Sequence, residues 1–130
     1  MYGRKSILIV DDDRELLRGL SIRLRSEGYR ISTAPNAAAV VNAAVVGKPD
    51  LILLDLGLPD GDGMAVLDRL QAIVTTASIP VVILTARDLS WAPRAFDNGA
   101  IAFLEKPVDD DDLFAAIEMA LEKTEAEPMR

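Results

Sequence analysis

The sequence predicts an α/β domain: a five-stranded parallel sheet in the order 2-1-3-4-5, with helices on both faces. Three observations predict it. Short apolar runs alternate five times with segments of helical periodicity along 130 residues. The runs are continuous rather than alternating, as strands buried on both faces require. The connections are short, and consecutive parallel strands need a crossover that a helix supplies.

The first strand is Ile7-Leu8-Ile9-Val10, stopped by Asp11-Asp12-Asp13. Leu16, Leu17, Leu20 and Leu24 then recur at helical spacing up to Gly28, with Asp13 placed to cap the helix. Tyr29 to Thr33 is a weaker second strand. Ala37 to Val46 follows as a helix favoured by its alanines and closed by Gly47 and Pro49. Leu51 to Leu54 is the third strand, ending at Asp55. The next loop, with Gly57, Pro59, Asp60, Gly61, Asp62 and Gly63, is dense in breakers, and Met64, Leu67 and Leu70 mark the helix beyond it. Pro80 opens the fourth strand, Val81 to Leu84, which ends at Thr85; proline is tolerated at a strand's first position. A short helix over Trp91 to Asn98 stops at Gly99. Ile101 to Leu104 is the fifth strand, ending at Lys106-Pro107. The last helix runs from Asp109 to Lys123 with Leu113, Phe114, Ile117, Ala120 and Leu121 on one stripe. Five βα units of this kind make a flavodoxin-like (βα)5 domain over residues 1–124, with 125–130 as a C-terminal tail.

Composition excludes several chemistries. There is no Cys, so no thiol nucleophile or zinc-thiolate site, and no His, so no imidazole base or ligand. Fourteen basic against 21 acidic residues give a net charge of −7, which opposes binding of the whole chain to nucleic acid or an anionic membrane surface. No apolar run approaches the ~20 residues that span a bilayer, and the polar amino terminus leads straight into a strand. The expectation is a cytoplasmic protein whose chemistry runs on carboxylates, hydroxyls and lysine.

In an open parallel sheet, ligands bind beyond the carboxyl ends of the strands, where strand order reverses. Four strands deliver polar groups there: Asp11-Asp12-Asp13 after the first, Asp55 after the third, Thr85 after the fourth and Lys106 after the fifth. Each alone has a bland reading as cap, turn or solvated residue. Together they make electrostatic sense. Clustered carboxylates repel unless a cation joins them, and an all-oxygen donor set suits Mg²⁺ or Mn²⁺. A carboxylate beside a divalent cation, a lysine and a hydroxyl is poised to receive a phosphoryl group.

These motifs bring the sequence close to a known family. Ile-Leu-Ile-Val-Asp-Asp-Asp (7–13), Leu-Leu-Asp-Leu-Gly-Leu-Pro-Asp-Gly-Asp-Gly (53–63), Leu-Thr-Ala-Arg (84–87) and Phe-Leu-Glu-Lys-Pro (103–107) occur in one order. In this respect the chain resembles the receiver domains of bacterial two-component response regulators, chemotaxis-regulator-like, from about Lys5 to Leu121. The resemblance implies that Asp55 is the phosphoacceptor for a phosphohistidine on a sensor histidine kinase or histidine phosphotransfer protein. It implies that Asp11, Asp12, Asp55 and the Gly57 backbone carbonyl hold Mg²⁺, Asp12 directly and Asp11 through water. Thr85 and Lys106 match the residues that bind the phosphoryl group, Phe103 matches the switch aromatic, and Lys106-Pro107 is expected to be cis. Helix four, strand five and helix five are the expected surface for a homodimer or a target protein. Gly57 and Arg87 flank the phosphoryl site and are expected to influence phosphate lifetime. Phe103 and Trp91 keep a second reading, as partly buried packing residues.

The competing reading is an aspartyl-phosphate phosphatase of the haloacid dehalogenase type. Those enzymes carry their nucleophile in Asp-x-Asp on the first strand, whereas here the acidic pair comes first and Asp55-Leu56-Gly57 lacks a second aspartate. A flavodoxin-like nucleotide carrier would need a phosphate-binding loop where this chain has three aspartates. The resemblance to receivers implies a module that catalyses only its own phosphorylation and dephosphorylation, not an enzyme acting on other substrates.

Overall fold

β1 (Ser6–Val10), β3 (Leu51–Leu54) and β4 (Val81–Thr85) form the interior of a five-stranded parallel sheet, with β2 (Arg30–Ala34) and β5 (Ala102–Glu105) at its edges. The computed structural model describes residues 3–126. The strand order is β2-β1-β3-β4-β5, the common order expected for five such units. Chain direction across the sheet reverses once, at β1. With right-handed crossovers, that reversal puts α1 (Arg14–Ser26) on the face opposite α2 (Ala37–Gly47), α3 (Gly63–Ala72) and α4 (Ala92–Asp97). α5 (Asp110–Ala126) packs back onto the α1 face.

Strand side chains alternate between the two faces. Ile7, Ile9, Leu51 and Leu53 join Leu20 and Leu24 of α1 and Leu113 and Ile117 of α5. Leu8, Val10, Ile52 and Leu54 join Val40 of α2, Leu67 and Leu70 of α3 and Ala95 of α4. Every residue of β1 after Ser6, and all of β3 and β4, is buried, which explains why these strands read as continuous apolar runs. Helix starts are capped by side chains: Asp13 accepts from the Leu16 N–H at 3.1 Å, Asn36 from Ala39 at 3.0 Å and Asp62 from Met64 at 2.9 Å. Gly28 closes α1 with φ of 99°, a conformation that an L side chain strains.

Some boundaries differ from those the sequence predicts. β2 lies one residue later than Tyr29–Thr33, because Arg30 pairs with Ser6 and Ala34 with Val10. α5 continues through Ala126, past the predicted end of the domain at 124, since no breaker precedes Pro128. Residues 127–130 of the predicted tail lie outside the described residues. The glycine-rich loop after β3 contains a two-residue antiparallel ribbon pairing Gly57 with Asp62 and Leu58 with Gly61. A helical turn at Val74–Ala77 follows α3; its Thr76 hydroxyl donates to the Leu70 carbonyl at 2.6 Å, satisfying an acceptor at the α3 end. Among the described residues, no helix is long and apolar enough to cross a membrane.

Candidate functional site

The register that sets Val10 beside Leu54 places Asp11 and Asp55 side by side at the carboxyl edge. Both are still held by the sheet: the Asp55 N–H donates to Val10 O at 3.0 Å, and the Asp11 N–H to Ala34 O at 3.2 Å. Their side chains, with that of exposed Asp12, bring one oxygen each to within 4.8 Å of one another. Lys106 reaches in from the end of β5, its own N–H bonded to Thr85 O at 2.8 Å. Its Nζ lies 2.5 Å from Asp11 Oδ2 and 3.6 Å from Asp55 Oδ2. The Lys106–Pro107 peptide bond is cis.

Two buried carboxylates so close together need compensation. Burial pushes the Asp11 carboxyl above its ordinary value; the Lys106 hydrogen bond, the Asp13 N–H and the Lys106 charge pull it back, and the Asp55 charge adds to the rise. A cluster of hard oxygen donors with surplus negative charge suits Mg²⁺ or Mn²⁺, so the residues present fit such an ion.

The raised value has a testable sign. An acid whose folded pKa exceeds its unfolded one contributes stability that is complete below the unfolded value of 3.8 and is lost as pH rises through the folded value. In metal-free buffer, the stability of the wild type relative to Asp11→Asn should therefore fall as pH rises from about 4 to 7, read by urea denaturation. A difference that stays flat over that window would contradict the assignment.

Thr85 is buried, and its Oγ1 accepts from the Arg87 N–H at 3.3 Å. Phe103 pairs with Ile83 across β4 and β5 and is half-buried against the same core as Trp91. Gly57 is exposed beside Asp55, and its N–H donates to Asp55 Oδ1 at 3.2 Å. The structure thus gathers Asp11, Asp12, Asp55 and Lys106 directly, with Thr85 at the next strand end and Gly57 on the adjoining loop.

Sequence reasoning missed three supports of this edge. Gly63 is packed on the backbone of Asp55 and Leu56, where an added Cβ would lie 2.5 Å from Asp55 O. Its place in a glycine-rich loop was a signal, but one read only as a turn. Asp60 accepts from the Ala37 and Ala38 N–H groups at 2.7 and 3.1 Å, tying the loop after β3 to α2, and these bonds hold its carboxyl below the ordinary value. Asp62 pairs with Arg87 at 3.3 Å. Partners more than 20 residues apart leave no local trace.

A doubly wound five-stranded sheet with this acidic cluster at its switch point defines a receiver-type signalling domain. The model of the response regulator receiver domain matches residues 7–118, and the chain belongs to that family. It is 38% identical over 121 residues to the transcriptional regulatory protein KdpE of Mycobacterium tuberculosis, covering 92% of this chain and 52% of that protein. It is 40% identical over 119 residues to the transcriptional regulatory protein GlrR of Escherichia coli, covering 91% of this chain and 26% of that one. The chain therefore spans about half, or a quarter, of the length of these relatives. A CheY-like response regulator receiver domain protein from Methanospirillum hungatei superposes with a TM-score of 0.90 at 29% identity, over 97% of this chain and 100% of that one. These matches do not favour the dehalogenase-type phosphatase.

Proposed function

We propose that Asp55 is the phosphoacceptor of this receiver domain. The observation that carries the reading is the convergence of Asp55 with Asp11, Asp12 and Lys106 at one sheet edge. An Asp55 carboxylate oxygen attacks the phosphorus of a phosphohistidine on a sensor histidine kinase or histidine phosphotransfer protein. The P–N bond breaks, its electron pair stays on the imidazole nitrogen, and an acyl phosphate forms. These 130 residues contain no histidine, so the donor histidine lies outside them or the donor is a small molecule.

Asp11, Asp12, Asp55 and the Gly57 carbonyl would hold Mg²⁺, which when bound supplies positive charge toward the transferring oxygens. Lys106 then donates to one phosphoryl oxygen and the Thr85 hydroxyl to another, and Phe103 follows Thr85 in repacking the α4–β5–α5 surface. That surface meets a second copy or a target protein. The domain catalyses only its own phosphorylation and dephosphorylation, extends to the end of α5, and works in the cytoplasm.

Intact-mass measurement after incubation with Mg²⁺ and acetyl phosphate tests this. One added phosphate is expected, and none when the metal is chelated. No modification by either the small donor or a phosphorylated kinase would overturn the proposal, and sustained phosphate release from general monoesters would point to a phosphatase instead.

A further inference from the structure

We propose that Asp62, Arg87 and Trp91 form a clamp that holds the Thr85 hydroxyl in its bond to the Arg87 N–H and so sets how readily the domain enters its phosphorylated state. The inference rests on the reading of Thr85 as a phosphoryl-binding hydroxyl. In the structure that hydroxyl is occupied as an acceptor of the Arg87 N–H at 3.3 Å. The side chain of the same Arg87 is held at two points. Its Nη1 is 3.3 Å from Asp62 Oδ1, and its Cζ stands 4.3 Å from the centre of the Trp91 ring. Arg94 approaches that ring as well, at 5.3 Å.

Neither anchor is loose. Asp62 Oδ1 also accepts from the Met64 N–H at 2.9 Å, which fixes it to the start of α3. Trp91 is the residue from which α4 begins, and it packs on the core beneath that helix. The clamp therefore joins the loop after β3, the end of β4 and the start of α4. Moving the Thr85 hydroxyl toward a phosphoryl oxygen displaces the acceptor of the Arg87 N–H and pulls on a side chain tied elsewhere. A clamp made in only one of two states lowers the affinity of any ligand that binds the other. Asp62, Arg87 and Trp91 are thus positioning residues, acting through Thr85 without touching the reacting atoms.

Charge supplies the discriminating test. Arg87→Ala removes a positive charge near the site and Asp62→Ala removes a negative one, yet both open the clamp, the second also giving up the Met64 cap. Simple electrostatics would make the first variant bind an anionic phosphoryl mimic more weakly and the second more tightly. The clamp predicts that both bind beryllofluoride, in the presence of Mg²⁺, about threefold to tenfold tighter than the wild type. That range is what a half-exposed ion pair and a guanidinium–indole contact support together. The double variant should gain no more than either single one. Trp91 is the chain's one tryptophan, so its emission reports on the clamp directly. In ligand-free Asp62→Ala, which keeps both guanidinium groups, that emission should move toward the spectrum of the beryllofluoride-bound wild type.

Affinity changes of opposite sign, additive changes, or unchanged affinity in both variants would each overturn the clamp while leaving Asp55 as phosphoacceptor. A wild type that neither binds beryllofluoride nor takes up phosphate would overturn the receiver reading, and the clamp with it.

Discussion

Asp55→Asn is expected to take up no phosphate from acetyl phosphate and Mg²⁺, while remaining as stable as the wild type or more so in metal-free buffer. Asparagine keeps the side chain's shape, and its oxygen can still accept from the Gly57 N–H, now 3.2 Å from Asp55 Oδ1. It removes a negative charge that raises the cost of ionising buried Asp11, so the Lys106–Asp11 pair at 2.5 Å should tighten its hold. The amide nitrogen, by contrast, cannot displace a phosphorylated imidazole, and loss of one carboxylate from the cluster weakens its affinity for a divalent cation. Intact mass and thermal denaturation on one preparation separate these effects. A variant that still gained phosphate would move the acceptor elsewhere, and one that unfolded would show Asp55 to be structural.

Gly63→Ala should do the opposite, damaging the fold and the chemistry together. A Cβ at this position would meet Asp55 O and Leu56 Cα, both at 2.5 Å, and both belong to backbone rather than to a side chain that can swing away. The Asp55 peptide is pinned from one side by Val10 O at 3.0 Å, and Gly63 itself donates to Leu56 O at 2.8 Å. The strand end must shift, costing about 3 kcal/mol, which lowers Tm by about 10 °C in a domain of this size. Because the displaced backbone carries Asp55, the proposed phosphoacceptor, the rate of phosphorylation should drop in the molecules that remain folded. Gly57→Ala is the control: nothing lies within 4 Å of a Cβ there. Equal melting temperatures for the two alanine variants would show that the close approach at Gly63 relaxes freely.

The two alanine variants also show where sequence reasoning stopped. Both glycines lie in a loop that announces a turn, and nothing in the local pattern separates the one that touches the end of the Asp55 strand from the one that faces solvent. The strands were legible because burial on both faces removes the polar half of the pattern, as in Ile7 to Val10 and Leu51 to Leu54. The acidic cluster was legible because parallel strands all point their carboxyl ends one way, so a polar residue after each run must join the others. Asp60 against α2 and Arg87 against Asp62 follow from how loops meet after folding, across separations of 23 and 25 residues. The extra residues of α5 were hidden for a different reason: Thr124 to Ala126 are compatible with helix, and only the absence of a breaker before Pro128 argues for it.

The sheet is not equally stiff across its width. β3, which leads into Asp55, is buried throughout, whereas β5 is an edge strand with three half-buried residues and one exposed. Displacement under load concentrates where neighbours are fewest, so a tug at the end of β4 is absorbed little by the centre and mostly by this border. Reaction and readout can then share one small domain without interfering. If Asp55 is phosphorylated as proposed, the central strands would be the rigid mount of the carboxylates and β5 with its flanking helices the compliant margin. The opposite edge, β2, is also exposed but delivers none of the clustered polar groups, which lie at the ends of the other four strands.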